Sequence, residues 1–200
     1  PNHLPDSIER FVVRWQPSKA KKFQDDMQKV VFEMMAGVKF LIMNIEAFSS
    51  ERGKKAAYYF LRKNEDNIMI IDESTTIKNR KANRTKNIID VSKYAKYKRI
   101  LTGSPITKSP MDLFSQCGFL DPMALGQASY FAFQNRYAVV QRKTFGSRSF
   151  NDIVGYKRLD ELNGILTQFS ARTLKKDCLD LPDKIYVKRN VALTSEQTTI

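Results

Sequence analysis

The stretch that decides the fold is residues 67–79, which read NIMIIDESTTIKN. Four apolar residues, 68–71, run directly into two adjacent acids, Asp72 and Glu73. A short run that is apolar throughout is typical of a strand buried on both faces, as in a parallel sheet covered by helices. The segment therefore predicts a strand that delivers two carboxylates to one edge of a sheet.

Helix-like and strand-like segments alternate on both sides of this strand. Apolar spacing predicts helices at residues 18–35, 50–61 and 84–94, and strands at 38–45 and 98–102. Ser18 is the predicted cap of the first helix, and Ser49 or Ser50 is the predicted cap of the second. A further amphipathic helix is predicted to end at Trp15. The alternation favours an α/β fold with a parallel sheet, in which ligands bind beyond the carboxyl ends of the strands.

The second half of the chain has a different pattern. Helices are predicted from Pro110 onward and at residues 159–169, and the run 184–193 alternates like a strand. Between the helices lies an aromatic cluster that we expect to form the core of a mostly helical insertion, although it could stack on bases: Tyr130, Phe131, Phe133 and Tyr137. We therefore divide the chain into an α/β part at 1–122, an insertion at 123–171 and a segment returning to the sheet at 172–200.

Adjacent acids at the end of a strand have a specific use in nucleotide hydrolysis. One carboxylate can hold the Mg²⁺ that bridges the terminal phosphates, while the other positions and polarises the attacking water. Neighbouring strand residues point to opposite faces, so the chain must leave strand geometry if Asp72 and Glu73 are to face one ligand. Acid pairs are also common in solvated loops, so the pair alone is a weak signal.

The second candidate element is LTGSPI at residues 101–106. Gly103 permits backbone conformations that other residues resist, Thr102 and Ser104 supply hydroxyl groups, and Pro105 fixes the exit of the chain. In isolation this segment is typical of a plain turn between a strand and a helix. If the preceding strands are parallel neighbours, however, this turn and the acid pair line one crevice.

The charge of the chain favours a polyanionic partner. The sequence has 34 basic and 21 acidic residues, a net charge of +13, and nucleic acid is the most common partner of such a protein. Residues 78–99 contain nine basic residues against one acid, Asp90, with Tyr94 and Tyr97 interleaved. This pattern suits contacts with a phosphate backbone, which give affinity without sequence specificity. A solubility surface or an anionic membrane are the alternatives.

The composition also excludes several classes of protein. No run approaches the roughly 18 apolar residues of a membrane span. With two cysteines, Cys117 and Cys178, and one histidine, His3, the chain builds neither a disulfide framework nor a usual structural zinc site. The polar chemistry must therefore use carboxylates, hydroxyls, lysine and arginine, and we expect a reducing compartment, the cytosol or nucleus.

Taken together, these segments resemble the first motor lobe of the Swi/Snf-type DNA translocases of helicase superfamily two. The acid motif of that family reads D-E-[AGS]-H and is followed by [LI]-K-N; the chain has DEST at 72–75 and IKN at 77–79. The next family motif, L-T-G-[ST]-P-[IL], matches LTGSPI, and the helix that follows it matches DLFS at 112–115 and FLDP at 119–122. The order and spacing agree over about residues 40–197.

The resemblance implies a RecA-like parallel sheet flanked by helices, here without its phosphate-loop strand, and a DNA-dependent ATP hydrolase that moves along double-stranded DNA. It implies that Asp72 holds Mg²⁺, that Glu73 positions water, and that Thr102 and Ser104, with Gly103 in the nucleotide loop, couple the γ-phosphate to movement. The candidate contacts to DNA that it implies are Asn44, Lys78, Asn79, Arg80, Lys81 and Arg84.

The chain departs from the family pattern in two residues and one missing motif. Thr75 stands where histidine is usual, and Lys108 stands where asparagine is usual after the proline, so we expect altered coupling to the nucleotide. The phosphate loop G-x-x-x-x-G-K-[ST] does not occur in the chain, and the resemblance implies that it precedes residue 1. A second motor lobe would follow residue 200, and we expect this part alone to be inactive.

Two other functions fit parts of the pattern. A metal-dependent nuclease could use Asp72, Glu73 and Lys78 but needs a further carboxylate, for which Asp66 is the only near candidate. Alternatively, the chain could be a non-catalytic nucleic-acid-binding module held to its partner by charge. Nicking of DNA without nucleotide would favour the nuclease, and a lack of ATP hydrolysis by the intact parent protein would favour the binding module.

Overall fold

The computed structural model of the protein describes residues 9–33, 37–146, 148–174 and 187–189. The chain divides into two compact units, 1–166 and 167–200. The described strands are β1 (Arg10–Arg14), β2 (Val38–Ile42), β3 (Ile68–Ile71), β4 (Tyr97–Ile100), β5 (Ala138–Phe145) and β6 (Arg148–Tyr156), and the helices are α1 (Lys21–Phe32), α2 (Glu51–Lys63), α3 (Asn83–Ser92), α4 (Leu113–Leu120), α5 (Tyr130–Tyr137) and α6 (Leu159–Thr167).

The strand that ends in the acid pair pairs in parallel with the strand that ends in the glycine-containing turn. β3 and β4 align from Ile68 opposite Tyr97 to Ile71 opposite Ile100. A parallel pair needs a crossover connection, which here contains α3. The predictions of β3, α3 and a parallel arrangement are therefore confirmed, with β4 shifted by one residue at its start.

The predicted single sheet is only partly observed. Among the described residues, β2 pairs in parallel with β1 and not with β3, so the four strands form two separate two-stranded sheets. The predicted helix ending at Trp15 is wrong, because 10–14 form β1 and the Trp15 N–H continues its ladder to the carbonyl of Ile42 at 2.8 Å. Val13 is buried and Val12 is exposed, which is strand periodicity in a segment too short to establish a helical repeat.

A serine cap sets the start of α2, whereas α1 and α3 have no side-chain cap. Ser50 caps α2, since its hydroxyl accepts a hydrogen bond from Gly53 N at 3.2 Å, which confirms that prediction. A Cβ at Gly53 would collide with the Ala47 carbonyl oxygen, so α2 approaches the preceding 3₁₀ helix, Ile45–Ser49, closely. The predicted cap at Ser18 is wrong, because α1 begins after Ala20 and has no side-chain cap.

The insertion is not mostly helical as predicted, because β5 and β6 form an antiparallel hairpin between α5 and α6. β5 ends shortly before the turn of the hairpin at Gly146, which has a φ of +59°. The predicted aromatic core is confirmed for Phe133 and Tyr137, which are fully buried, but Phe131 is 67% exposed.

Two apolar clusters stabilise the first unit. One joins α2, α3, β3 and α4, and includes Leu61, Ile71, Ile88 and Phe119. The other joins α4, α5 and α6. Most of the predicted strand at 184–193 and most of the 172–200 segment lie outside the described residues, and the described residues 187–189 are not in a strand. Within the described part, none of the helices is long and apolar enough to cross a membrane.

A buried asparagine joins the end of α2 to the starts of β3 and β4. The Asn67 side-chain amide donates to the carbonyls of Leu61 at 2.9 Å and Asn64 at 2.6 Å, and its oxygen accepts from Lys96 N at 2.9 Å. Since Lys96 directly precedes β4, the side chain fixes the start of the strand pair.

We expect Asn67→Ala to lower the free energy of unfolding of the 200-residue chain by about 2 kcal/mol or more, because it leaves buried backbone groups without partners. Chemical denaturation measures the change. Asn163→Ala, at an exposed position of α6, is the control and should change stability by less than about 0.5 kcal/mol. Equal effects of the two substitutions would contradict the role given to Asn67.

Candidate functional site

The acid pair and the glycine-containing turn lie at the same edge of the β3–β4 sheet. Because the strands are parallel and Ile71 lies opposite Ile100, both loops begin at their carboxyl ends. Backbone hydrogen bonds continue the ladder beyond the strands, from Leu101 N to the Ile71 carbonyl at 2.9 Å and from Ser74 N to the Leu101 carbonyl at 3.0 Å. The two loops are therefore directly bonded to each other.

The backbone leaves strand geometry at the second acid, as predicted. Glu73 has φ 49° and ψ 60°, the left-handed conformation that a residue with a side chain rarely adopts. Its carbonyl accepts hydrogen bonds from Thr76 N at 3.0 Å and Thr76 Oγ1 at 2.9 Å, and its N–H donates to Asp72 Oδ1 at 2.9 Å. These bonds offset a backbone strain of about 1–3 kcal/mol. Both carboxylates are exposed at the sheet edge.

The glycine-containing turn is held by its own hydroxyl groups. Ser104 N donates to Thr102 Oγ1 at 3.2 Å, and Ser104 Oγ donates to the Ile106 carbonyl at 3.3 Å. The prediction that Gly103 serves an unusual backbone conformation is wrong, because the φ of Gly103 lies outside the left-handed region. A Cβ built at Gly103 would meet nothing within 4 Å, so this face of the turn borders open space.

Asp112 clamps the segment that follows the turn. Its Oδ2 accepts hydrogen bonds from Thr107 N at 3.1 Å, Thr107 Oγ1 at 2.9 Å and Lys108 N at 2.9 Å. Partial burial alone would raise the pKa of Asp112, but these donors outweigh it and hold the pKa below its ordinary value of 3.8. The Lys78 ammonium donates to Thr107 Oγ1, which connects the loop after the acids to the same clamp.

Several of the predicted DNA contacts have partners within the protein. The Arg80 guanidinium lies 4.1 Å from the centroid of the Tyr130 ring and 5.7 Å from that of Phe131, a cation–π arrangement. Arg84 forms an ion pair with Glu46, and Asn79 Oδ1 accepts from Lys81 N at 3.0 Å.

Asn44 caps the 3₁₀ helix Ile45–Ser49 by accepting from Glu46 N at 3.2 Å. The structure thus brings Asn44 and Arg84 to one place through Glu46. It places Lys78, Asn79, Arg80 and Lys81 together directly after residues 72–77, which we call the acid loop. Their role in binding DNA stays a prediction.

The oxygen ligands at the sheet edge fit a Mg²⁺ ion that is bound together with a nucleotide. Mg²⁺ in nucleotide sites takes one or two carboxylates, with phosphate and water completing its shell. Asp72 and the hydroxyl of Thr102 lie on adjacent loops next to open space at Gly103. Within the described part of the chain, no group of three or more His, Cys, Asp or Glu residues is placed to hold a metal ion by itself.

The geometry does not support the carboxylate cluster that a nuclease would need. Asp66 precedes β3, at the opposite end of the strand from Asp72, and pairs with Lys96 at 2.8 Å. Cys117 is also unsuited to chemistry, since burial raises the pKa of its thiol to about 12.

Four residues at the site were not identified from the sequence: Glu46, Thr107, Asp112 and Gln116. Their bonds to residues distant in the chain depend on the fold, and no local pattern indicates them. The sequence placed Asp112 in a helix starting at Pro110, but it did not indicate what the Asp112 carboxylate binds.

Comparisons with known proteins identify the family of the chain. The model of the SNF2-related domain family matches residues 2–200. The chain is similar to the DNA annealing helicase and endonuclease ZRANB3 of two species. The Bos taurus protein is 35% identical over 119 residues, which are 59% of this chain and 11% of that protein. The Homo sapiens protein is 26% identical over 181 residues, which are 90% of this chain and 16% of that protein. The TATA-binding protein-associated factor MOT1 of Saccharomyces cerevisiae is 34% identical over 128 residues, 62% of this chain and 7% of that protein.

The matched region covers between 7% and 16% of the lengths of these curated relatives. No solved structure matches the chain.

We expect Asp112→Asn to speed amide hydrogen exchange at Thr107 and Lys108 by about tenfold, because hydrogen bonds to a charged acceptor contribute about 1.5–3 kcal/mol. Exchange measured residue by residue in the 200-residue chain tests this. Asp121→Asn is the matched control, since its carboxylate accepts from Met123 N at the other end of α4. Unchanged protection at 107–108 would show that the clamp does not hold the loop.

The same clamp predicts a pH dependence. The folded-state pKa of Asp112 is lowered, so its contribution to stability is complete above the ordinary value of 3.8 and is lost as the pH falls through the lower folded-state value. Wild type should therefore lose more stability than Asp112→Asn when acidified below pH 3.8.

Proposed function

The chain belongs to the SNF2-related domain family, and from that premise we propose that it is part of the first motor lobe of an ATP-dependent translocase that moves on double-stranded DNA. The observation that carries the proposal is the bonding of the acid loop to the loop 101–106 at one sheet edge. In parallel α/β sheets this edge is where ligands bind.

In this proposal Asp72 holds Mg²⁺ together with the phosphates of ATP. Mg²⁺, when bound, neutralises charge on the transferred phosphoryl group. Asp72 is suited to this role because its carboxylate is exposed and receives an N–H bond from Glu73 at one oxygen only. The open side of Gly103 lets a phosphate approach the turn without meeting a side chain.

Glu73 positions the attacking water in the proposed reaction. The water oxygen bonds to the γ-phosphorus, the bond from that phosphorus to the bridging oxygen of ADP breaks, and the water proton passes through Glu73 to solvent or product. ADP and inorganic phosphate leave. Thr102 and Ser104 lie on the neighbouring loop that is bonded to the acid loop. They respond to the presence of the γ-phosphate and couple it to movement of the motor.

The basic surface after the acid loop is the proposed DNA contact. Lys81 and Asn79 are exposed there, while Lys78, Arg80 and Arg84 are half-buried with partners in the protein. We therefore assign the phosphate contacts chiefly to Lys81 and its exposed neighbours. Arg80 and Arg84 support this surface, and Asn44 lies with Arg84 at its margin.

The activity requires parts of the parent protein that this chain does not contain. A phosphate loop and a second lobe that supplies arginine fingers complete the proposed site, so the chain alone should hydrolyse ATP poorly. A cytosolic or nuclear location follows from a DNA substrate. The rival that remains is a non-catalytic DNA-binding module, which the presence of Thr75 at the acid motif would also allow.

We expect Glu73→Gln in the full-length protein to lower DNA-stimulated ATP hydrolysis by about 10²-fold or more while ATP binding persists, because the water loses its positioning carboxylate. Steady-state hydrolysis and nucleotide titration measure the two effects. Asp66→Asn, at the opposite end of β3, is the control and should leave the rate unchanged. Wild-type hydrolysis by Glu73→Gln would favour the non-catalytic module.

Lys81→Ala should weaken binding of the full-length protein to double-stranded DNA equally for all sequences and reduce the salt dependence of log K by about one. Titration at several salt concentrations measures both quantities. The matched control is Lys63→Ala, an exposed lysine at the end of α2, which leads into β3 at the end opposite the acid loop. An unchanged salt slope in Lys81→Ala, or an equal loss in Lys63→Ala, would contradict the assigned surface.

A further inference from the structure

A buried glutamine connects the acid loop to the loop 101–106. Gln116 on α4 and Ser74 after the acid pair are both 0% exposed. Ser74 Oγ donates to Gln116 Oε1 at 2.7 Å, while Gln116 Nε2 donates to the carbonyls of Pro105 at 2.7 Å and Asp112 at 2.9 Å. The two carbonyl oxygens require N–H donors, which fixes the orientation of the amide. Every hydrogen of the amide group is therefore used.

Ser74 in turn controls the backbone of Glu73. Ser74 follows Glu73 directly, and its N–H is bonded to the Leu101 carbonyl at 3.0 Å. Glu73 itself is in the left-handed conformation, which persists only where the surroundings fix it. A shift of Ser74 changes the peptide that leaves Glu73 and so the direction of its carboxylate.

We propose that Gln116 is a positioning residue for ATP hydrolysis: through Ser74 it fixes Glu73 relative to the loop 101–106. The inference rests on the proposed function and adds to it a route between the two loops. A movement of Pro105 is transmitted by the Gln116 amide to Ser74 and then to Glu73. Positioning effects of this kind alter rates because the geometry of the reacting groups is tightly constrained.

The alternative is that the pair only fills space. α4 and the 3₁₀ helix Ser74–Ile77 also contribute Phe119 and Ile77 to the apolar core, so the surroundings tolerate apolar side chains. Replacing both partners of a buried hydrogen bond by apolar groups of similar shape is often nearly neutral for stability, whereas removing one partner is costly. The double replacement therefore separates packing from positioning.

The test uses Ser74→Ala, Gln116→Leu and the double variant in the full-length protein, with kcat and KM for ATP and thermal unfolding of the lobe. Each single variant should lower kcat by about tenfold with KM changed by less than about twofold. The double variant should recover stability towards wild type and yet keep the same loss of about tenfold in kcat. Ser92→Ala is the matched control, a buried serine at the end of α3 whose hydroxyl bonds to the Ile89 carbonyl, and it should leave kcat unchanged.

Recovery of kcat together with stability in the double variant would overturn the proposal in favour of packing, as would single variants with wild-type kcat. If Glu73→Gln shows that the protein does not use this site for hydrolysis, amide hydrogen exchange tests the connection by itself. Ser74→Ala should then speed exchange in residues 101–106, to which the Ser74 hydroxyl is connected through Gln116. Unchanged exchange there would overturn the connection independently of the proposed function.

Discussion

The parallel pairing of β3 with β4 is the constraint on which the site depends. It brings the carboxyl ends of both strands to one edge, and two further backbone bonds, at Leu101 and Ser74, carry the pairing into the loops. The acids and the hydroxyl-bearing turn are far apart in sequence and become neighbours only through this ladder. The left-handed conformation of Glu73 follows from the same constraint, because the chain must turn away from the strand while Ser74 stays bonded to the neighbouring loop.

Around this edge, polar side chains hold the loops while apolar clusters hold the helices. Gln116 binds the Pro105 carbonyl in the loop 101–106, and Asp112 binds the segment that directly follows this loop. Lys78, directly after the acid loop, adds a third contact at Thr107. Basic residues that the charge pattern assigns to DNA are used partly inside the protein, as Arg80 on Tyr130 and Arg84 on Glu46 show. A net positive charge therefore overstates the number of residues available to a partner.

The elements that could be predicted from the sequence have local signals. β3 is an apolar run, and α2 has a serine cap, so both were located without knowledge of their neighbours. β1 was missed because five residues are too few to distinguish strand from helix, and because its identity depends on pairing with β2. The hairpin was missed since β5 is exposed along almost its whole length, so no alternation of apolar and polar residues is required of it. The position of Gln116 could not be predicted, because its bonds cross between segments that only the fold brings together.

The central claim is that the acid loop and the loop 101–106 bind one nucleotide together. The most direct measurement is a structure of the full-length protein with Mg²⁺ and a non-hydrolysable ATP analogue. The account predicts Asp72 in the coordination sphere of the metal or of its waters, and the γ-phosphate group within contact of both Glu73 and the Thr102–Ser104 turn. A nucleotide bound elsewhere, or one that contacts only one of the two loops, would contradict it.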